Sequence, residues 1–433
     1  MKAGKTTLTV IAACLALFAA WPLVTWGQTT VLRPPLEADG GAALFSRQYF
    51  GLHMHRAEAI RWPAVKFGSW RLWDSGISWA DIERTPGQFD FARLDRYILM
   101  AERFKLEVVL PLALTPQWAS SKPKQASAYG PGKASPPADI ELWRRFVRTV
   151  ANRYKGRIAA YELWNEANIP NFFDGDEADL AKLARVFSEE IRRADPQAKI
   201  IAPSGAGLLD PRKDFVVRFL QASKGVHFDA FNFHLYTGEH RPELMIPHVQ
   251  ALQDQVRKAG FANLPLWNTE SGYEVRSREP NFGSTSHTAH EPERVAAYLV
   301  RAMLIVRALG VERFHWYAWD DGRMAMTYAD FATPNPVGIA YTQLVPLLEG
   351  ARLHECQIDK TGPSRCRLTS AAGRDFMVVW SGRDEVEQWT SPVPVQVSAL
   401  DGKVLEVRAT RVAIGIMPVV LESADAARSL PQP

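Results

Sequence analysis

Two short stretches carry the residues best suited to chemistry. Tyr161-Glu162-Leu163-Trp164-Asn165-Glu166-Ala167-Asn168 and Pro265-Leu266-Trp267-Asn268-Thr269-Glu270-Ser271-Gly272 share one design: an apolar run, a Trp, an Asn and a closing Glu. A carboxylate at the end of a buried strand is costly to desolvate unless it is paired or protonated. A lone strand-end Glu therefore reads first as half of a salt bridge, and two matching endings weaken that reading. Cleavage of a glycosidic bond needs two such carboxyls. One, protonated, gives its proton to the departing oxygen, and the other, ionised, attacks or stabilises the oxocarbenium-like sugar. Retention through a covalent intermediate expects the pair about 5–5.5 Å apart. Burial and the neighbouring negative charge would raise the pKa of the acid.

Such a pair needs a scaffold that brings distant strand ends together. Between residues 46 and 350, short apolar runs alternate with helical patterns, the rhythm of repeated βα units. Strands are expected at Tyr49–His53, Ser69–Trp73, Leu106–Leu112, Ile158–Trp164, Ile200–Pro203, Ala230–His234, Leu266–Thr269 and Phe314–Ala318. Helical stretches such as Phe91–Phe104, Ile140–Tyr154 and Glu293–Leu309 lie between them. This pattern predicts an α/β fold, a closed (β/α)8 TIM barrel, whose active sites occupy the C-terminal strand ends. Strands four and seven stand on opposite sides of such a barrel, so Glu166 and Glu270 would face each other across its mouth.

From about Leu353 the pattern changes to short β-prone runs at Arg365–Thr369, Asp375–Trp380, Val393–Val397 and Lys403–Arg408. They predict a small antiparallel β-sandwich over 351–425, with Pro394 placing its strand at a sheet edge. Cys356 and Cys366 flank the turn-rich Lys360-Thr361-Gly362-Pro363, a spacing that suits a hairpin disulfide in an oxidising compartment. Ahead of the barrel, 29–45 reads as a linker. Residues 1–28 pair a basic start, Lys2 and Lys5, with an uncharged run from Leu8 to Trp26. That is the pattern of export, either by a cleaved signal peptide or by an uncleaved inner-membrane tether. The expected location is periplasmic or extracellular.

A formal charge of +4 over 433 residues, spread along the chain, argues against a nucleic-acid partner. No phosphate-cradling Gly loop, dinucleotide fingerprint or Gly-x-Ser-x-Gly elbow appears in the right context, so no cofactor is expected. Fourteen Trp, many at strand ends, suit sugar stacking, although any one of them could equally fill core.

The two endings resemble clan A of the retaining glycoside hydrolases, in which the acid/base Glu follows Asn on strand four and the nucleophile ends strand seven. The likeness extends to Trp79-Ala80-Asp81-Ile82-Glu83 with Pro86-Gly87-Gln88-Phe89-Asp90-Phe91, to Leu114-Thr115-Pro116-Gln117-Trp118-Ala119, to His234-Leu235-Tyr236 and to Trp316-Tyr317-Ala318-Trp319. With the terminal sandwich, the chain is most similar to family 39 and, within it, to bacterial hydrolases of biofilm exopolysaccharide. The resemblance implies an oligo- or polysaccharide substrate; the many aromatics expected in the cleft lean towards endo action, and a monomer is expected. It implies Glu166 as acid/base and Glu270 as nucleophile. Asn165 would bond the sugar 2-hydroxyl, Tyr236 would donate to Glu270, and Arg71 would keep Glu270 ionised. His234 and His53 would line the cleft, and Trp118, Trp316 and Trp319 would form sugar platforms. Arg71 could instead pair with another acid, and His234 could be a satisfied core histidine.

Two other classes compete. His53-Met54-His55 has the His-x-His spacing of a metal-dependent amidohydrolase, with His234 and Asp320 or Asp321 as further ligands. Ala202-Pro203-Ser204 offers no His where that class needs one, so no metal is expected. A catalytically silent sugar-binding barrel would keep the cleft, but it would have no need of both Glu.

Overall fold

The computed structural model describes residues 29–37, 39–206, 214–277, 282–383 and 385–424. The expected leader, 1–28, lies outside the described residues, and among those described no helix is long and apolar enough to cross a membrane.

Eight parallel strands close into a barrel. They are β1 (Phe50–Leu52), β2 (Ser69–Arg71), β3 (Glu107–Leu112), β4 (Ala160–Leu163), β5, β6 (Phe231–His234), β7 (Leu266–Ser271) and β8 (Arg313–Trp316). β5 comes in two pieces, Lys199–Ile201 and Gly205–Ala206, because Pro203 interrupts the ladder. The first piece pairs with β4 and the second with β6, and a parallel bridge between Ile201 and Ala230 completes the ring. Helices follow β2 to β8: α1 (Ala92–Phe104), α2 (Ile140–Arg153), α3 (Glu177–Ala194), α4 (Phe215–Ala222), α5 (Met245–Lys258), α6 (Pro292–Ala308) and α7 (Pro336–Leu348).

The strand period of two sorts side chains between the helix layer and the lumen. The lumen floor is a small apolar plug of Val109, Ala160, Ile201, Ala230 and Trp267, drawn from five strands. Above it the lumen turns polar. His315 Nε2 lies 2.8 Å from Ser69 Oγ, and its imidazole fills the space where a Cβ on Gly51 would sit, 2.3 Å from His315 Cδ2. Gly51 is therefore required by close approach. The next layer up, Arg71 and Glu162, begins the functional site.

The C-terminal module contains β9 (Arg352–Asp359), β10 (Pro363–Thr369), β11 (Asp375–Ser381), β12 (Glu387–Ser398), β13 (Val404–Ile414) and β14 (Val419–Ser423). Its antiparallel order is β9-β10-β11-β14-β12-β13. Phe376, Val378 and Trp380 join the barrel's core, whereas Met377 and Val379 alternate to the other side and pack with Trp389, Val395, Val412 and Leu421. Cys356 and Cys366 are cross-strand partners on β9 and β10 and form a disulfide. Pro394 does not mark an edge. β12 lies between β14 and β13, and the proline is accommodated where the β12–β13 register shifts between Thr390 and Val395.

The stretch 29–45 is not a linker. Thr29–Leu32 pairs antiparallel with Cys356–Asp359 of β9, and Ala43–Leu44 pairs with Arg352 and Leu353. Two Thr and a Val suit a strand, but its partner lies more than 300 residues away, beyond the reach of local pattern.

Candidate active site

The β4 end is built by an unusual turn. Trp164 and Glu166 both adopt left-handed backbone, with φ of 59° and 48°. That is an uncommon state for a Trp, held only where surroundings over-determine it. Here Trp164 N–H donates to the Leu112 carbonyl (3.0 Å) and its indole N–H to the Phe172 carbonyl (2.9 Å). Glu166 N–H donates to Ser204 Oγ (2.9 Å) and Ala167 N–H to the Ser204 carbonyl (3.1 Å). Ser204, at the break in β5, thus anchors the acid-bearing turn.

The β7 end is built by a bulge. Trp267 faces the lumen, so strict alternation would turn Glu270, three residues on, to the helix side. The register with β6 shifts between Asn268 and Glu270, and that with β8 between Asn268 and Ser271. A bulge of this kind re-aims side chains at barrel rims, and it brings Thr269 and Glu270 together to the mouth.

Glu166 and Glu270 meet there. One carboxylate oxygen from each, with a ring nitrogen of His234, lie within 4.8 Å of one another. His234 Nδ1 is 3.0 Å from Glu166 Oε1 and 3.7 Å from Glu270 Oε2, and its Nε2 is 3.2 Å from Thr269 Oγ1. Arg71 donates Nη1 to Glu270 Oε2 (2.9 Å), and Tyr236 Oη donates to Glu270 Oε1 (2.6 Å). Arg71 also donates Nε (2.8 Å) and Nη2 (2.5 Å) to the two oxygens of Glu162, and Nη2 to Asn165 Oδ1 (2.7 Å). With Oδ1 taken, the group Asn165 can still offer as a donor is its Nδ2.

Both carboxyls are buried, yet their surroundings separate them. Burial and then the Glu270 charge push Glu166 well above the usual carboxylate range. Burial pushes Glu270 up to about 7 only, because Arg71 and Tyr236 pull it back. Burial, then Arg71, holds His234 and His53 well below the usual histidine range and His315 at about 3, so all three are neutral imidazoles. Among the described residues, Glu166, His234 and Glu270 have the spacing to hold a cation, but the Arg71 guanidinium already lies against Glu270.

Arg71, Asn165, His234 and Tyr236 therefore converge on the two Glu. His53 is nearby but faces inward, its Nε2 2.8 Å from the Thr269 carbonyl, while His55 packs its ring against Tyr317 at 4.9 Å. The His53 ring meets the same tyrosine at 5.1 Å, so the His-x-His pair brackets Tyr317. The Trp platforms need correction. Trp316 is 0% exposed and shares the face of Phe314 (ring centroids 6.4 Å apart), which points to the helix layer. Trp319 is 1% exposed within the same core. Neither presents a ring face to a sugar. Trp118 is half-buried, with its N–H donated to the Glu83 carbonyl (2.9 Å) and its ring edge-on to Trp79, and these contacts tie it to the turn after β2.

A different aromatic wall stands beside the pair. The Trp73 ring lies 5.8 Å from the Arg71 guanidinium, and its N–H donates to Tyr129 Oη (3.2 Å). Tyr129 in turn meets Phe172 edge-on at 5.5 Å. The Glu166 and Glu270 charges both help to raise the Tyr129 phenol well above its ordinary range, after burial and Asp74. Tyr317 also stands by the pair, donating to Asp74 Oδ2 (2.8 Å). The sequence signals for these were faint: a Trp two residues past Arg71, and one Tyr inside a Ser/Gly/Pro loop.

With the geometry in view, comparison with known proteins gives a direct answer. The family model for glycosyl hydrolases family 39 matches residues 53–309. The chain belongs to glycosyl hydrolase family 39. It is a glycosidase, and the amidohydrolase reading falls. The match begins just after β1 and runs through α6, so it includes both Glu. A search of curated proteins finds no match in sequence. Among solved structures, a family 39 glycoside hydrolase from Bacteroides cellulosilyticus WH2 is similar with a TM-score of 0.65 at 17% identity, over 83% of this chain and 76% of that one. A glucosidase from Croceicoccus marinus gives 0.60 at 13%, over 91% and 98%. The family 39 enzyme from Xanthomonas axonopodis pv. citri gives 0.58 at 16%, over 90% and 96%. These likenesses show a shared fold of barrel and β-sandwich.

Proposed function

We propose that this family 39 glycosidase is a retaining, endo-acting hydrolase of an exopolysaccharide, with Glu270 as nucleophile and Glu166 as acid/base. The observation that carries the mechanism is the pair's separation, within 4.8 Å, combined with a direct ion pair from Arg71 to Glu270. An inverting pair stands about 6.5–9.5 Å apart to admit a water. In the first step a Glu270 oxygen gives an electron pair to the anomeric carbon. The bond to the departing oxygen breaks, and that oxygen takes the proton of Glu166. In the second step Glu166, now a carboxylate, removes a proton from water as the water oxygen attacks the anomeric carbon, and the Glu270 ester bond returns its pair to the carboxylate. Arg71 and Tyr236 favour the Glu270 anion, while burial and the adjacent Glu270 charge keep Glu166 protonated.

The aromatic side chains gathered by the pair, Trp73, Tyr129, Phe172 and Tyr317, favour a substrate that runs past the cleavage point. Export is supported by the apolar segment before Thr29 and by the Cys356–Cys366 bond. A 2-fluoro glycosyl inhibitor should label Glu270, read by peptide mass spectrometry; a label on another residue removes the assignment. Incubation with the exopolysaccharide of the source organism, followed by product sizing, tests the substrate. Early appearance of mid-sized fragments is the endo outcome, and single sugars alone would reject it.

A further inference from the structure

Arg71 is the guanidinium at the heart of the site, but most of its bonding capacity does not go to Glu270. Nε and Nη2 are spent on Glu162 at 2.8 and 2.5 Å, a two-pronged contact with both side chains fully buried. Only Nη1 reaches Glu270. Glu162 lies two residues beyond lumen-facing Ala160 on β4, so the pleat aims it into the barrel with no access to solvent. A buried carboxylate of this kind survives only by pairing. The mechanism above gives it no task.

The surrounding groups define its effect. Facing Arg71 are Glu162 from β4, Glu166 from the turn after it and Glu270 from β7. His53 after β1, His234 of β6 and His315 of β8 are neutral, and Asp74 adds negative charge from the β2 loop. Glu162 and Arg71 thus form a closed, neutral unit. A bare cation 2.9 Å from Glu270 would stabilise its anion strongly in the ground state, and stabilisation lost as the electron pair moves to carbon raises the barrier. A neutralised guanidinium leaves Glu270 a directional hydrogen bond with less of that penalty. The same grip fixes the guanidinium plane, so Nη2 also reaches Asn165 Oδ1.

We infer that Glu162 is a positioning residue that cancels the charge of Arg71 and locks its plane, so that Glu270 is held in line yet remains basic enough to attack. The inference rests on Glu270 being the nucleophile.

The test is Glu162→Gln beside Glu162→Asp, each checked for folding by circular dichroism. The ionisation of Glu270 is followed without substrate, as the 13C carboxyl signal that Glu270→Gln removes. It is followed again as the acid limb of kcat/KM on a substrate the wild type cleaves. Gln removes the charge, so the ionisation should move to lower pH by about one pH unit, with a lower kcat. Asp keeps the charge but cannot span both nitrogens, so the ionisation should stay in place while kcat falls. An unmoved ionisation in folded Glu162→Gln, or a shift in Glu162→Asp, overturns the inference. If Glu162→Gln does not fold, the Asp variant decides alone. Failure of the nucleophile assignment looks different: Glu270→Gln would then turn over, whatever Glu162 does.

Discussion

The ends of β4 and β7 place two buried Glu at one barrel mouth, but they do so by different means and give them different company. β4 delivers Glu166 through a tight turn with two left-handed residues, braced by Ser204, where its side-chain contact is His234 rather than Arg71. β7 delivers Glu270 through a bulge and surrounds it with Arg71 and Tyr236. Equal burial raises both carboxyls; the donors decide which one ionises first. In this site, identity of residue says little about role, and the neighbours assign it.

Substitutions can break that asymmetry in graded steps. The largest effect is expected from Glu270→Gln, a loss of turnover on the order of 10⁴-fold or more with the melting temperature little changed. Steady-state rates on any cleaved substrate check it. Glu166→Gln should cost about 10²–10⁴-fold on a sugar leaving group and far less on an activated aryl leaving group, which departs without a proton. The alkaline limb of the pH profile should vanish with it. On the proposed mechanism the acid limb follows the Glu270 ionisation at about 7, and the alkaline limb follows loss of the Glu166 proton, which burial and the Glu270 charge hold well above the usual carboxylate range. Arg71→Met should leave Glu162 buried without its partner and destabilise the fold by about 3–5 kcal/mol, read as a lowered denaturation midpoint. The smallest effect is expected from Tyr236→Phe, about tenfold in kcat/KM. Its donor favours the Glu270 anion, so its loss should move the acid limb to higher pH, opposite to Glu162→Gln. Equal pH responses from both variants would show that Tyr236 and the Arg71–Glu162 pair are not acting on the same carboxyl.

Much of this asymmetry was legible before any coordinates. A Trp, an Asn and a closing Glu at the end of two apolar runs mark the pair, and the βα rhythm places it on opposed strands. What escaped has definite causes. The bulge at Asn268–Ser271 breaks the parity by which strand faces are read, and nothing in Leu266–Ser271 signals it. Trp316 looked like a sugar platform because it sits at a strand end, yet its parity with Phe314 sends it to the helix layer. Both partners proposed for Arg71, Glu270 and another acid, are present together, a sharing that spacing alone does not reveal. Pro394 was read from a rule about edges when a register shift absorbs it equally well.

The pairing of Thr29–Leu32 with β9 carries a consequence for biogenesis. The first described strand of the chain must wait for a partner synthesised after the whole barrel, as the Thr29–Asp359 hydrogen bond across 330 positions makes plain. Until β9 is made, the ribbon Thr29–Leu32 has no strand to pair with. A truncation beginning at residue 46, tempting for recombinant production of the barrel, would strip that ribbon away and leave β9 with open amides and carbonyls, an invitation to self-association.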